Sequence, residues 1–392
     1  MPQTAADRSP SLVPFQIVMG ATTAAVGGIV AVLGEIRSEL NVGGTSIGII
    51  VASGFISSFV AQIALSPLAD RGYGRIMAIY GTIISALALF LMSQADSVTV
   101  WIVARSMVGF AGGMLLPGLR RAATVLDPQR SGENLGKHAA SEIFGFMIGP
   151  VAAAALVEVG DAHLPFIVFG VAMILFLPVV FRLPPDNGRQ STRTQNPLGL
   201  LRYRRLQGAI ILVSGYFLMV GAFESVLPLM FTDRGGSAFH IGLAFTAFCI
   251  PIMAVSRHAG RLADRHSAAH IAIAGMAIST FFVLTYGFIP GLLWLVIVMM
   301  IAGIADGYGY TAGQVAVSQS VTEDRQAAAL GLMGAAEVLA AGMSALPSAA
   351  LYEHHGDKVA WLAVGSSTLI ILAIGTSRLR GTQPISHAAS SH

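Results

Sequence analysis

The chain is poor in charge and has almost no cysteine. Only 11% of its 392 residues are Asp, Glu, Lys or Arg, against about 25% in an ordinary soluble domain. Hydrophobic residues make up 54%, and the mean hydropathy is +0.72. A water-soluble globule of this size has no interior large enough for that much apolar surface, so the surrounding solvent is lipid. The single cysteine, Cys249, lies in an apolar run, which excludes an internal disulfide and gives no redox or thiolate-metal signal. His354-His355, flanked by Glu353 and Asp357, is the one run with metal-ligand chemistry. Adjacent residues of a short loop do not converge on one ion, and no second cluster supports them, so neither metal nor cofactor is expected. A phosphate loop is missing too. Gly307-Tyr308-Gly309-Tyr310-Thr311-Ala312-Gly313 has the wrong spacing for G-x-G-x-x-G, and no strand precedes it, so it reads as a tightly packed membrane helix. No Ser/His, paired-Asp or zinc-ligand motif falls within the apolar runs, which argues against an enzyme.

What is present is a series of apolar runs of spanning length. A helix needs about 17–25 residues to cross a bilayer. Residues 12–34 form the first run, too long for the apolar region of a signal peptide. Further spans are expected at 47–68, 76–93, 98–118, 139–158 and 165–181, then at 208–231, 239–256, 271–289, 292–316, 327–351 and 359–377. The longest polar stretch separates the two groups. It carries Pro184-Pro185 and six Arg. The expected organisation is a six-helix bundle over 12–181, a linker over 182–207, a second six-helix bundle over 208–377 and a disordered tail over 378–392: an all-α membrane protein of twelve transmembrane helices in two pseudo-symmetric halves.

Internal repetition supports two halves. Leu68-Ala69-Asp70-Arg71 returns as Leu262-Ala263-Asp264-Arg265, each time between the second and third apolar runs of its half. Glu142 and Glu158 have counterparts at Glu337 and Glu353 at nearly the same offset. The basic residues then set orientation. Placing both termini, the linker and the even-numbered connections on one face puts nineteen of the 23 Lys and Arg there. By the positive-inside rule this face is cytoplasmic, which predicts a multi-pass protein of the cytoplasmic membrane. A linker obeying that rule needs no nucleic-acid partner; contact with lipid headgroups suffices.

Charges inside spans cost at least about 2.5–3.5 kcal/mol each at a helix centre and therefore face cavities or partners. Five qualify: Arg105, Glu142, Glu224, Asp306 and Glu337. Glu142 also suits a plain role near the N-terminal end of its span, where the helix dipole favours a carboxylate. Glu224 and Asp306 are the deepest carboxylates of spans 7 and 10 and are the expected proton carriers, with Arg105 acting on them by proximity.

Twelve spans, a long central linker and the duplicated Leu-Ala-Asp-Arg loop together resemble the major facilitator superfamily of secondary transporters. In that family the loop runs Gly-x-Leu-Ala-Asp-Arg-x-Gly-Arg. Here Ser66 replaces the first Gly, Gly72-Tyr73 adds a residue before Gly74-Arg75, and the second copy has Ser267 where Gly is usual. Arg105-x-x-x-Gly109-x-x-x-Gly113 is similar to the family's span 4 motif, whose Arg is implicated in proton coupling. Gly145-x-x-x-Gly149-Pro150 is similar to the span 5 motif of drug/proton antiporters, although Ala153-Ala154 replaces its closing glycines. The resemblance implies a proton-coupled exporter of hydrophobic or amphipathic small molecules, acting as a monomer, with spans 1, 4, 7 and 10 lining the cavity. Gln16, Phe217 and Tyr310 are then the expected substrate-facing residues. The alternative is a symporter or facilitator for a defined metabolite such as a sugar or organic acid. The duplicated loop is expected to gate. Asp70, with Arg71 and Arg75 beside it, should meet the start of span 11 near Arg325. Asp264, followed by Arg265, should meet the start of span 5 near Lys137.

Overall fold

Lipid offers backbone amides no hydrogen bonds, so each apolar run must satisfy its own and becomes a helix. The computed structural model describes residues 13–126, 131–183, 197–322 and 325–380. Six helices form the first half: α1 (Val13–Glu39), α2 (Gly44–Leu68), α3 (Gly74–Met92), α4 (Val98–Leu126), α5 (Ser131–Val159) and α6 (Leu164–Phe181). A short 3-10 turn over Pro197–Arg202 leads into α7 (Arg204–Asp233), α8 (Ala238–Arg265), α9 (Ala268–Thr285) and α10 (Leu292–Ser318). The final run, Gln326–Leu379, has 54 residues. At about 1.5 Å per residue it would be more than twice as long as a bilayer is thick. Gly356, with φ 80 and ψ 178, breaks it. That conformation is open only to glycine, and it separates α11 (326–355) from α12 (357–379). The fold is therefore twelve transmembrane helices in two pseudo-symmetric six-helix bundles.

Packing repeats between the halves. In the first, α1 lies on α5, α2 on α4, α3 on α4 and α6; in the second, α7 lies on α11, α8 on α10, and α9 on α10 and on the α11–α12 run. Small residues set these crossings. A Cβ added at Gly145 or Gly149 would come within 2.0 Å or 2.1 Å of the Gly20 or Ala24 carbonyl oxygen of α1. Gly221 of α7 meets the Ala341 carbonyl of α11 equally closely, at 2.1 Å. Such contacts bring backbones together where apolar side chains alone gain nothing over lipid.

The two copies of Leu-Ala-Asp-Arg take different structures. The first closes α2 and enters a single π turn, Ala69–Tyr73, which ends because Gly72 adopts φ 94. The second remains helical to the last residue of α8. It is followed by His266-Ser267, without a glycine to reverse the chain.

Candidate transport site

Arg105 of α4 and Glu224 of α7 come from opposite halves and meet between them. Arg105 Nη2 donates to Glu224 Oε2 at 3.0 Å, and both side chains are at least nine-tenths buried. Their setting is built by glycine. A Cβ at Gly54 of α2 would lie 2.7 Å from Arg105 Nε and 3.0 Å from its Cγ, so Gly54 is the notch that holds the arginine. One turn on, a Cβ at Gly109 would lie 1.9 Å from the Gly54 carbonyl oxygen. The span 4 motif thus does two things: its glycines seat α4 on α2, and its arginine crosses to the other half. Arg105 Nε has no hydrogen-bond partner among the described residues.

Asp306 is elsewhere. It is as buried as Glu224 but lies inside the second half, among α7, α9 and α10, with Tyr216, Met276, Ser279, Gly309 and Tyr310 around it. Of the two carboxylates, Arg105 pairs with Glu224 and not with Asp306. Phe217 and Tyr310 do come together, with ring centroids 5.8 Å apart, and Tyr216 stacks on Tyr310 at 5.1 Å. Tyr216 was not singled out from the sequence; an aromatic at the position before Phe217 carries no periodic signal of its own. Gln16 is half-buried one turn into α1 and makes no hydrogen bond with a described residue. Glu337 is buried on α11 and Glu142 half-buried on α5; neither joins the Arg105–Glu224 pair.

Comparison with known proteins decides the family. The description "Major Facilitator Superfamily" matches residues 16–235 and again 209–390. The chain belongs to the Major Facilitator Superfamily. Multidrug resistance protein MdtG of Salmonella choleraesuis (strain SC-B67) is 24% identical over 270 residues, 66% of this chain and 67% of that one. MdtG of Klebsiella pneumoniae (strain 342) is 24% identical over 272 residues, covering 66% of each. The alignments thus span about two thirds of these relatives. Among solved structures, a bacterial homolog of the human lysosomal transporter Spinster, in an inward-facing and occupied conformation, superposes with TM-score 0.78 at 12% identity, covering 96% of this chain and 98% of that one. The nucleoside transporter NupG superposes with TM-score 0.73 at 13% identity, covering 95% and 99%. At such identities the likeness is one of fold. The chain is a multi-pass membrane transporter of small molecules.

In this superfamily member the two halves are tied at the face opposite the linker. Arg37 of α1 pairs with Asp233 of α7 at 2.6 Å, and the Tyr352 hydroxyl of α11 donates to the same carboxylate at 2.9 Å. Glu353, at the end of α11, accepts the Thr45 amide at 2.7 Å and the Thr45 hydroxyl, so it caps the start of α2. Gly43 leaves the room this needs. In the other direction, Glu35 of α1 accepts the first amide of α8, from Ala238, at 3.3 Å. Each half therefore caps the second helix of the other, where unpaired amides and the helix dipole favour a carboxylate. Nearer the middle, Pro150 has no N–H and disturbs the carbonyls of the preceding turn. The Met147 carbonyl accepts the Thr246 hydroxyl of α8 at 2.7 Å.

At the linker face the expected gating residues are mostly engaged within their own halves. Arg75 donates to the Phe181 carbonyl at the end of α6, and Arg325 donates to the Tyr203 hydroxyl beside α7, at 2.8 Å and 2.9 Å. Arg71, Asp264 and Arg265 are exposed. Asp264 makes no ion pair with a described residue. The side chain of Asp70 lies outside the described residues. The antiparallel α2–α11 contact, from Gly48 against Ala345 and Ala349 to Gly334 near Gln62, runs on toward it.

Proposed function

We propose that the chain is a proton-coupled secondary transporter that exports hydrophobic or amphipathic small molecules across the cytoplasmic membrane, with termini and linker in the cytoplasm. The observation that carries the reading is the Arg105–Glu224 pair, a buried ion pair between the halves. A proton arriving on Glu224 removes one of the two charges and with it the attraction that holds α4 to α7. Its departure restores the pair. A mobile charge at the seam couples proton occupancy to the relative position of the halves, which is the requirement for alternating access. The half-buried aromatic wall of Tyr216, Phe217 and Tyr310 offers flat apolar surface to varied ligands. The likeness to MdtG, named for multidrug resistance, points the same way. The chain works as a monomer.

The test is purified protein in proteoliposomes with an imposed pH gradient and a panel of dyes and metabolites. Gradient-driven movement of several apolar dyes, abolished by Glu224→Gln while gradient-free exchange survives, is the expected result. Accumulation of one polar metabolite together with protons would replace export by symport. Undiminished gradient-driven transport by Glu224→Gln would remove Glu224 from coupling.

A further inference from the structure

Two arginines of α8, Arg257 and Arg261, have no use in the transport reading. Both are exposed, and neither makes a hydrogen bond or ion pair with a described residue. Arg75 and Arg325, by contrast, are engaged within their own halves. The face of α8 that carries the pair looks into the bilayer. The helix starts at the tied rim, where Glu35 accepts the Ala238 amide. Phe239 and Leu243 are exposed there, and with the halves closed on each other at that end, their surroundings are lipid. From Leu243, the exposed residues Ile250, Ala254, Arg257 and Arg261 follow at steps of seven, four, three and four, which keeps them on one side of the helix.

The neighbour on this side is α10. A Cβ added at its Gly303 or Gly307 would come within 2.8 Å or 3.0 Å of the Phe248 or Ile252 carbonyl oxygen of α8, so the two helices pack closely and leave a shallow outer groove. Its upper walls are apolar: Ile250 of α8 and Ile301 and Ile304 of α10 are exposed. Its lower end is polar. His258 Nδ1 and the Tyr308 hydroxyl hydrogen-bond across it at 2.7 Å, and the two guanidiniums stand beside them. Arg257 comes nineteen residues after Ala238, about 28 Å along the helix, against a hydrocarbon core of about 30 Å. The guanidiniums therefore stand at headgroup level in the leaflet on the linker side.

Arg257 and Arg261 are four residues apart, the spacing at which like charges repel on a helix. Asp264, the carboxylate next in sequence, makes no ion pair with a described residue, and Arg265 adds another positive charge. One phosphate between the two guanidiniums would remove the repulsion and match both planar forks. A basic pocket between spanning helices, with apolar walls leading up from it, has the form of a phospholipid seat.

We propose that the outer groove between α8 and α10 binds one phospholipid with an anionic headgroup, its phosphate between Arg257 and Arg261 and its acyl chains along Ile250, Ile301 and Ile304. The site is remote from the linker and from the Arg105–Glu224 pair, and it stands whether or not Glu224 carries a proton. Its occupant would rest on the outer side of a helix whose Thr246 is bonded to α5.

The experiment uses the full chain in detergent micelles and counts bound lipids by native mass spectrometry during titration with phosphatidylglycerol or phosphatidylcholine. Glycerol 3-phosphate serves as the soluble phosphate. Wild type is compared with Arg257→Gln/Arg261→Gln and with Arg182→Gln/Arg380→Gln, which removes two other exposed arginines. Wild type should bind its first phosphatidylglycerol about tenfold more tightly than phosphatidylcholine, as expected for one charged hydrogen bond. That preference should vanish in Arg257→Gln/Arg261→Gln and survive in Arg182→Gln/Arg380→Gln. Arg261→Gln alone, near the end of α8, disturbs folding least and should lose about threefold. No preference in wild type, or equal loss in the two double variants, would overturn the site in favour of diffuse attraction. Wild-type preference in Arg261→Gln would overturn the placing of the phosphate, whatever the folding yield of the double variant. Displacement of phosphatidylglycerol by an equal concentration of glycerol 3-phosphate would overturn the lipid in favour of free phosphate.

Discussion

Breaking the Arg105–Glu224 pair one partner at a time should cost far more than removing both. Each side chain is at least 96% withdrawn from solvent, so neither ion can turn to water when its partner is lost. Removing one partner of such a pair typically costs about 3–5 kcal/mol, because a charge is left buried and uncompensated. At about 1.4 kcal/mol per factor of ten, that is roughly two to three and a half orders of magnitude in the folding equilibrium. Glu224→Gln, which keeps an oxygen for Arg105 Nη2, belongs at the low end, and Glu224→Leu at the high end. Arg105→Leu also empties the notch opposite Gly54, so the double variant Arg105→Leu/Glu224→Leu keeps a cavity cost of about 1–2 kcal/mol. The double variant should nevertheless be more stable than either single leucine variant. The assay is SDS-driven unfolding of the purified protein in mixed micelles, read by tryptophan fluorescence and analysed as a double-mutant cycle. Strictly additive losses would refute the reasoning, since they would show that the two charges do not compensate each other.

Three further outcomes follow from the geometry. Gly109→Ala drives a Cβ to within 1.9 Å of the Gly54 carbonyl oxygen, a clash with backbone that no rotamer relieves; a loss of at least about 1–3 kcal/mol should appear as a sharp fall in folded yield, while Gly112→Ala, with nothing near its Cβ, should be neutral. The Thr45 hydroxyl and amide hold the Glu353 carboxyl below the usual carboxylate range, so the tie to α2 persists through neutral pH and is lost as the pH falls through that lowered value; the hydrogen-exchange protection factor of the Thr45 amide should fall only in strong acid, but should be low at every pH once Glu353→Gln is added. Although partial burial works against its charge, Glu39 at 2.8 Å pulls the net pKa of His163 above its ordinary 6.5; the stabilisation is complete below the ordinary value and fades as pH rises through the raised one, and an NMR titration of His163 that moves down in Glu39→Gln checks it.

Much of the fold is legible because charge is so scarce that its few clusters mark the ends of the helices. The helix breaks are less legible. Gly356 turns the chain from α11 into α12 within one residue, where composition indicates a loop from Glu353 to Lys358. The second Leu-Ala-Asp-Arg reads like the first, yet stays helical for want of a glycine after it. In the candidate site, depth within a span reveals Arg105, Glu224 and Asp306. It cannot show that one carboxylate faces across the seam while the other turns into its own bundle, because that depends on helix rotation, and the all-round apolar spans give no dominant face. Gly54 escapes for a related reason: α2 contains several glycines, and only the arriving guanidinium distinguishes one of them.

The crossed caps on the face opposite the linker have a further consequence. When the halves part there, the starts of α2 and α8 lose the Glu353 and Glu35 carboxylates, but they lie at the aqueous boundary, where water can take over both the freed amides and the freed carboxylates. Exchange of one hydrogen-bond partner for another leaves little net penalty. The Arg105–Glu224 pair has no such substitute within reach. Opening at that rim is therefore a nearly level exchange with solvent, and on the proposed function the steep step would belong to the seam.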